Sequence, residues 1–372
     1  MDDLRVGLIG YGVAGAFFHA PLIAATPGLR LSAVVTRDPA RAAEAEAKYG
    51  ARAVPDAAAL WGTTGAAGSG GTSEGAGAVD LVVIASPNRT HVPLARAALG
   101  AGLPVVVDKP LAATAAEARE LAALARERGL MLTVFQNRRW DGDFLTVARL
   151  VEAGELGQVT RLESRFERWR PVPKGGWRET GGAEEIPGLL YDLGSHLVDQ
   201  ALRLLGPVVD VYAETDVRRD GVSADDDVFV ALSHAGGARS HLWAGALTPR
   251  LGPRFRVLGT RAGYVKYGLD VQEEQLRAGL TPASPGFGEE PGERWGTVGA
   301  DGSGAAEGTD GTAGGNRAVR TEPGGYGGFY PAVLACLRDG APPPVEPEEV
   351  AAALAVLEAA RLSAAERRVV TL

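Results

Sequence analysis

Cysteine is nearly absent: Cys336 is the only one in 372 residues, so neither an intrachain disulfide framework nor a cysteine metal cluster can form within the chain. It reads as a small buried apolar residue on a helix. Only five histidines occur, and His19, His91, His234 and His241 show no paired ligand spacing, so no metal site is expected. Positive charge is not in excess. Lys and Arg number 38 against 46 Asp and Glu, a net charge of -8, which gives no general attraction to nucleic acid or to an anionic membrane. The start carries Asp2, Asp3 and Arg5 and lacks the long apolar stretch of a signal peptide. The longest apolar runs, such as Ala351 to Ala360, are helix-length and interrupted by charge. These absences point to a soluble, cytoplasmic protein whose partners are neither nucleic acid nor membrane.

What is present is ordinary globular material, 45% hydrophobic and 23% charged, in a chain long enough for two domains. The first third alternates β-branched runs with Ala-rich stretches. Leu4 to Ile9, Leu31 to Thr36, Leu81 to Ala85, Val105 to Asp108 and Met131 to Phe135 are predicted strands. Continuous apolar strands separated by helices imply a parallel sheet covered on both faces, a doubly wound Rossmann domain over residues 1–137. Residues 138–372 read differently. A helix from Phe144 to Ala153, a strand from Thr160 to Arg168 and a helix from Leu189 to Leu205 precede strands at Val208 to Val217, Asp227 to Ser233, Ala238 to Ala246, Arg254 to Leu258 and Tyr264 to Tyr267. Short turns between them favour an α+β domain with an open, mostly antiparallel sheet, suited to substrate binding and oligomerisation. Two Gly-rich stretches, 62–78 and about 282–325, offer few large apolar side chains and are expected to be flexible.

Gly10-Tyr11-Gly12-Val13-Ala14-Gly15 follows a predicted strand and opens an Ala-rich stretch of helix. In that position G-x-G-x-x-G permits a tight turn and close approach of a pyrophosphate, although the same turn can be purely structural. Where the second strand ends, Thr36 and Arg37 stand in place of an acid. A hydroxyl followed by Arg suits a 2′-phosphate, so NADP is favoured, while Asp38 keeps NAD open. Lys109, in Asp108-Lys109-Pro110, lies at the carboxyl end of a buried strand, where ligands of open α/β sheets collect. Lysine is scarce in this Arg-rich chain, and it supplies a compact, tunable charge. Asp192 and His196 stand at i and i+4, so on one continuous helix the carboxylate could orient an imidazole acting as general base; a histidine satisfied within the core is the alternative.

Together these motifs resemble the glucose-fructose oxidoreductase / inositol dehydrogenase / MocA family over nearly the whole chain. The matching pieces are Gly10 to Gly15, Phe18-His19-Ala20-Pro21, Ser86-Pro87-Asn88-Arg89-Thr90-His91, Asp108-Lys109-Pro110, Phe135 to Asp141 and Tyr191 to Gln200. Asn137 to Leu145, Arg168 to Glu179 and Val265 to Glu273 look most like the branch of NADP-dependent scyllo-inositol 2-dehydrogenase. The resemblance implies an NAD(P)-dependent dehydrogenase acting on a secondary hydroxyl of a cyclic polyol or sugar. It implies that Lys109 hydrogen-bonds the reacting oxygen, His196 exchanges the hydroxyl proton, and Asp192 orients substrate or histidine. Ser86, Asn88 and His91 would lie by the nicotinamide and its ribose. Asp108 replaces the usual Glu. His19, Arg139, Trp140, Trp177 and Arg178 are candidate substrate contacts, and a homodimer or homotetramer is implied. A dinucleotide-binding sensor without catalysis and a glycosidase using bound NAD are the competing readings.

Overall fold

A computed structural model of the chain describes residues 2–61, 79–182, 185–300 and 316–372, without the side chains of Trp177 and Arg178. The stretch 62–78 expected to be flexible lies outside the described residues, as do 301–315. The chain divides into two compact units. The first is Met1–Gln136, Glu273–Pro285 and Tyr326–Ala351; the second is Asn137–Gln272, Gly286–Gly325 and Ala352–Leu372.

In the first unit six strands, β1 (Leu4–Ile9), β2 (Leu29–Val35), β3 (Arg52–Val54), β4 (Leu81–Ile84), β5 (Val105–Asp108) and β6 (Leu132–Phe135), form one sheet in the order β3-β2-β1-β4-β5-β6. Every neighbouring pair is parallel. The apolar runs are continuous because both faces are covered: all four residues of β4 and of β6 are buried. Strand order reverses between β1 and β4, which creates a crevice at their carboxyl ends. The short β3 has no apolar run to announce it. Late chain segments complete this unit. Thr133, fully buried in β6, donates its hydroxyl to the Val345 carbonyl at 2.8 Å and accepts the Val345 N–H at 3.2 Å. Phe329 meets Phe135 edge to face, ring centres 4.9 Å apart.

The second unit holds β7 (Val159–Glu167), β8 (Val208–Asp216), β9 (Asp227–His234), β10 (Arg239–Gly245), β11 (Phe255–Gly259), β12 (Gly263–Lys266), β13 (Gly296–Gly299), β14 (Arg317–Val319) and β15 (Val370–Thr371). They form a nine-stranded sheet, β14-β13-β12-β11-β7-β10-β9-β8-β15. Only the β7/β10 pair is parallel. Alternating burial along β9 and β10 puts one face on the core, where the helix Gly194–Leu205 packs on β7 and β10. The described flanks of 282–325 contribute β13 and β14, which pair with each other, and Val319 is buried. Cys336 does sit on a helix, Phe329–Asp339, but is only half-buried.

Replacing Thr133 with Val keeps the shape and leaves both Val345 groups without their partner. Urea unfolding should show stability reduced by about 1–3 kcal/mol with the slope unchanged; an unaltered midpoint would refute this role.

Candidate active site

The glycine turn is dictated by sterics. Gly10 has φ +96°, and a Cβ there would stand 2.6 Å from the Ala85 carbonyl oxygen. A Cβ on Gly15 would stand 2.1 Å from the Gly10 oxygen. Gly12 differs: a Cβ there meets nothing within 4 Å, so the protein's own packing does not require glycine. The space that its missing side chain leaves fits the approach of a dinucleotide pyrophosphate. Val13 is exposed and Ala14 half-buried. Tyr11 is core instead, its phenol pushed up by burial, with Tyr49 and Glu44 adding to the shift, so this residue can offer a ligand only its backbone. The turn does open the expected helical stretch, continuous from Val13 to Ala24, with a π-helical segment, Gly15–His19, inside it and the α-helix Ala20–Ala24 at its end. π-Turns interrupt helices frequently at functional sites.

At the tip of β2 the expected acid alternative is otherwise engaged. Asp38 Oδ1 accepts from the backbone N–H of Ala40 at 2.9 Å and of Arg41 at 3.3 Å, capping the helix Pro39–Tyr49. Thr36 donates its N–H to the Val54 carbonyl and accepts the Asp38 N–H on its hydroxyl. Arg37 is exposed, its Nε 3.4 Å from the Pro55 carbonyl, and Arg41 is also exposed.

Beyond β4, Ser86 Oγ lies 2.6 Å from Thr90 Oγ1, and Asn88 starts a 3-10 turn, Asn88–Thr90. His91 is not a ligand-facing residue. It is buried, with Nδ1 2.7 Å from the Pro110 carbonyl and Nε2 2.8 Å from the Ser86 carbonyl, a brace between two turns. Lys109 follows β5 half-buried, joined to Pro110 by a cis peptide bond. Its backbone N–H donates to Asp108 Oδ1 at 2.9 Å. Burial pushes the Asp108 carboxyl up, but His19, then Lys109 and His91, outweigh this and hold it below the usual carboxylate range. His19 is fully buried, so it is not the substrate contact expected.

In the second unit Asp192 and His196 do not share one continuous helix. Leu193 separates a short helix, Leu189–Asp192, from Gly194–Leu205, and the Asp192 carbonyl receives the Ser195 hydroxyl at 3.3 Å. His196 is buried, its ring 6.3 Å from that of Phe166 in a T-shaped arrangement. Arg139 is not available to substrate: it makes a buried bidentate pair with Asp199, at 2.8 and 2.6 Å. Trp140 is half-buried, and its carbonyl accepts from Gln272 and Gly325. Trp177 and Arg178 fall in the turn Trp177–Thr180, and their side chains lie outside the described residues. Sequence reasoning missed Tyr330, whose hydroxyl is 2.7 Å from His19 Nδ1. It also missed Arg254, whose guanidinium lies 4.0 Å from the ring centres of both Phe166 and Phe255. Among the described residues no group of three or more His, Cys, Asp or Glu could hold a metal, and no helix is long and apolar enough to cross a membrane.

A Rossmann unit with a glycine turn at its switch point, followed by an α+β unit, defines a nicotinamide-nucleotide-binding oxidoreductase. The sequence model of the oxidoreductase family with NAD-binding Rossmann fold, GFO/IDH/MocA, matches residues 4–136, and that of the GFO/IDH/MocA C-terminal domain matches 144–265. The chain belongs to this family. It is 39% identical over 366 residues to the uncharacterized oxidoreductase YdgJ of Escherichia coli, covering 98% of each chain. It is 32% identical to the scyllo-inositol 2-dehydrogenase (NADP(+)) IolW of Bacillus subtilis, covering 100% of this chain and 97% of that one. Among solved structures, an oxidoreductase from Bacillus cereus matches with TM-score 0.82 at 30% identity, covering 99% and 98% of the two chains. GenD2 from gentamicin A biosynthesis, in complex with NAD, matches with TM-score 0.75 at 26% identity, covering 100% and 97%.

The two glycines should separate in mutagenesis. Gly12→Ala should leave thermal unfolding unchanged but weaken NADPH binding, followed by its fluorescence, about tenfold or more. Gly10→Ala should destabilise the fold by about 1–3 kcal/mol or more. Unaltered NADPH binding by Gly12→Ala would remove the nucleotide from this turn.

Proposed function

We propose that the chain is an NADP-preferring dehydrogenase that oxidises a secondary hydroxyl of an inositol-like cyclic polyol or a sugar, or reduces the corresponding ketone. The observation that carries this is Lys109, held at the carboxyl end of β5 by Asp108, with His91 bracing the adjoining Pro110. The nicotinamide, when bound, accepts or gives the hydride. In the oxidation the substrate C–H pair leaves as hydride, the O–H proton goes to a base, and a C=O double bond forms. Lys109 supplies a donor to the oxygen as it gains negative charge. His196, on its own helix, is the proposed base for the hydroxyl proton, and Asp192 the proposed orienting carboxylate. Ser86 and Asn88 are the proposed neighbours of the nicotinamide ribose. The polyol class is supported by the resemblance to IolW.

The NADP preference rests on Thr36 and Arg37 at the strand tip, and on the commitment of Asp38 to its helix cap. A carboxylate facing the ribose would repel a 2′-phosphate, whereas exposed guanidinium groups attract it.

The test is the change in nicotinamide absorbance with scyllo-inositol, myo-inositol and a set of aldoses, run with each cofactor. Lys109→Met should lower kcat by about a hundredfold or more while NADPH binding stays within about twofold. Arg37→Ala should lower kcat/KM for NADP by about tenfold and leave that for NAD unchanged. Turnover at the wild-type rate by Lys109→Met would sink the assignment of the lysine. Release of free sugar without net cofactor change would favour the glycosidase reading, and nucleotide binding without turnover of any candidate would favour the sensor.

A further inference from the structure

Behind the Lys109 turn lies a line of polar groups buried in the first unit. Tyr330, in the helix Phe329–Asp339, is fully buried, and its Oη is 2.7 Å from His19 Nδ1. His19 ends the π-helical turn after the glycine loop and is itself wholly buried, its ring 4.5 Å from that of Phe135. Phe135 is the β6 residue paired with Asp108 of β5. On its other side His19 presents Nε2 to Asp108 Oδ1 at 3.9 Å, longer than a hydrogen bond and close enough for an electrostatic contact. That same oxygen accepts the N–H of Lys109.

We infer that His19 and Tyr330 are positioning residues for Lys109, acting through Asp108; this rests on the reading of Lys109 given above. The protons order themselves along the line. Burial pushes the Tyr330 phenol well above its ordinary range, so the hydroxyl keeps its proton and can serve as the donor to Nδ1 of a neutral ring. The ring proton then sits on Nε2, facing the carboxylate. A ring N–H on that side favours the carboxylate orientation in which Oδ1 accepts the backbone N–H of Lys109. A fully buried histidine whose Nε2 lies within hydrogen-bond distance of no described residue is costly as mere packing. Its placement directly behind the one lysine at a strand tip of this sheet gives that cost a function.

The test uses the full chain with scyllo-inositol and NADP. Tyr330→Phe removes one hydroxyl without changing shape and should lower kcat about tenfold. His19→Leu should lower it about a hundredfold. His19→Gln, which keeps a donor toward Asp108, should recover most of that loss. NADPH binding should stay within about twofold in all three. A second readout needs no substrate. Reductive methylation with 13C-formaldehyde labels Lys48, Lys109, Lys174 and Lys266, the lysines of this chain, and the Lys109 signal is assigned by its loss in Lys109→Met. That signal should move in both Tyr330→Phe and His19→Leu. An unmoved signal, or unchanged kcat in Tyr330→Phe and His19→Leu beside an inactive Lys109→Met, overturns the inference and leaves the lysine assignment intact. An active Lys109→Met overturns both.

Discussion

Two backbones meet at the end of the first strand with no space between them for a methyl group, since the Gly10 position faces the Ala85 carbonyl at contact distance. That approach is possible because strand order reverses between β1 and β4, so their connections leave in opposite directions and open a crevice at their carboxyl ends. Gly10 and Gly15 close the protein side of the turn, whereas Gly12 faces open space. The same approach fixes Ser86, one residue beyond Ala85. The Ser86 carbonyl meets one nitrogen of His91, and the other nitrogen meets the carbonyl of Pro110. The placement of Lys109 is thereby referenced to the glycine turn through short, buried steps, so the nucleotide position and the donor proposed above would be set by the same contacts.

The second unit achieves orientation with buried charge. Asp199 and Gln200 lie three and four residues beyond His196, on the same face of the helix Gly194–Leu205. Asp199 holds Arg139 bidentately, while Gln200 accepts from Arg254 and donates to the Arg138 carbonyl. Arg254 in turn pairs with Asp143 at 3.2 Å and donates to Ser164. Such buried pairs add little net stability over apolar packing, but a partner lost leaves a charge stranded in the core. What they fix is the rotation of the helix about its axis, and with it the direction in which His196 leaves. Arg139, expected at the substrate, instead serves this purpose.

The parts legible in the sequence are those whose cause is local. A strand buried on both faces is largely apolar, so β1, β2, β4, β5 and β6 can be read directly, their polar residues falling mostly near the strand ends, and so can the glycine turn, where two close backbone approaches and one open position fall within six residues. Lys109 stands out because it follows an unbroken apolar run. The failures come from distance in sequence. Nothing near His19 announces that its partner is Tyr330, 311 residues away, and nothing near Arg139 points to Asp199, 60 residues away. The break at Leu193 is hidden by helical spacing that continues across it. β13, β14 and β15 are short, and β13 both begins and ends with glycine, so the sheet they extend supplies the order that composition does not.

Asp38 was the ambiguous residue, and its signal was also local. Asp followed by Pro is a helix start, because Pro39 needs no hydrogen-bond partner for a missing N–H and fixes φ for the first turn. Turning the Asp38 carboxylate outward to a ribose would leave the N–H groups of Ala40 and Arg41 without their acceptor, at about 0.5–2 kcal/mol. The start of this helix and the chemistry at the tip of β2 are therefore one choice. With Asp38 Oδ1 committed to the cap and Oδ2 3.5 Å from Arg41 Nε, the strand tip presents the Thr36 hydroxyl and the exposed guanidinium groups of Arg37 and Arg41 beside a neutralised acid, the set on which the proposed NADP preference rests.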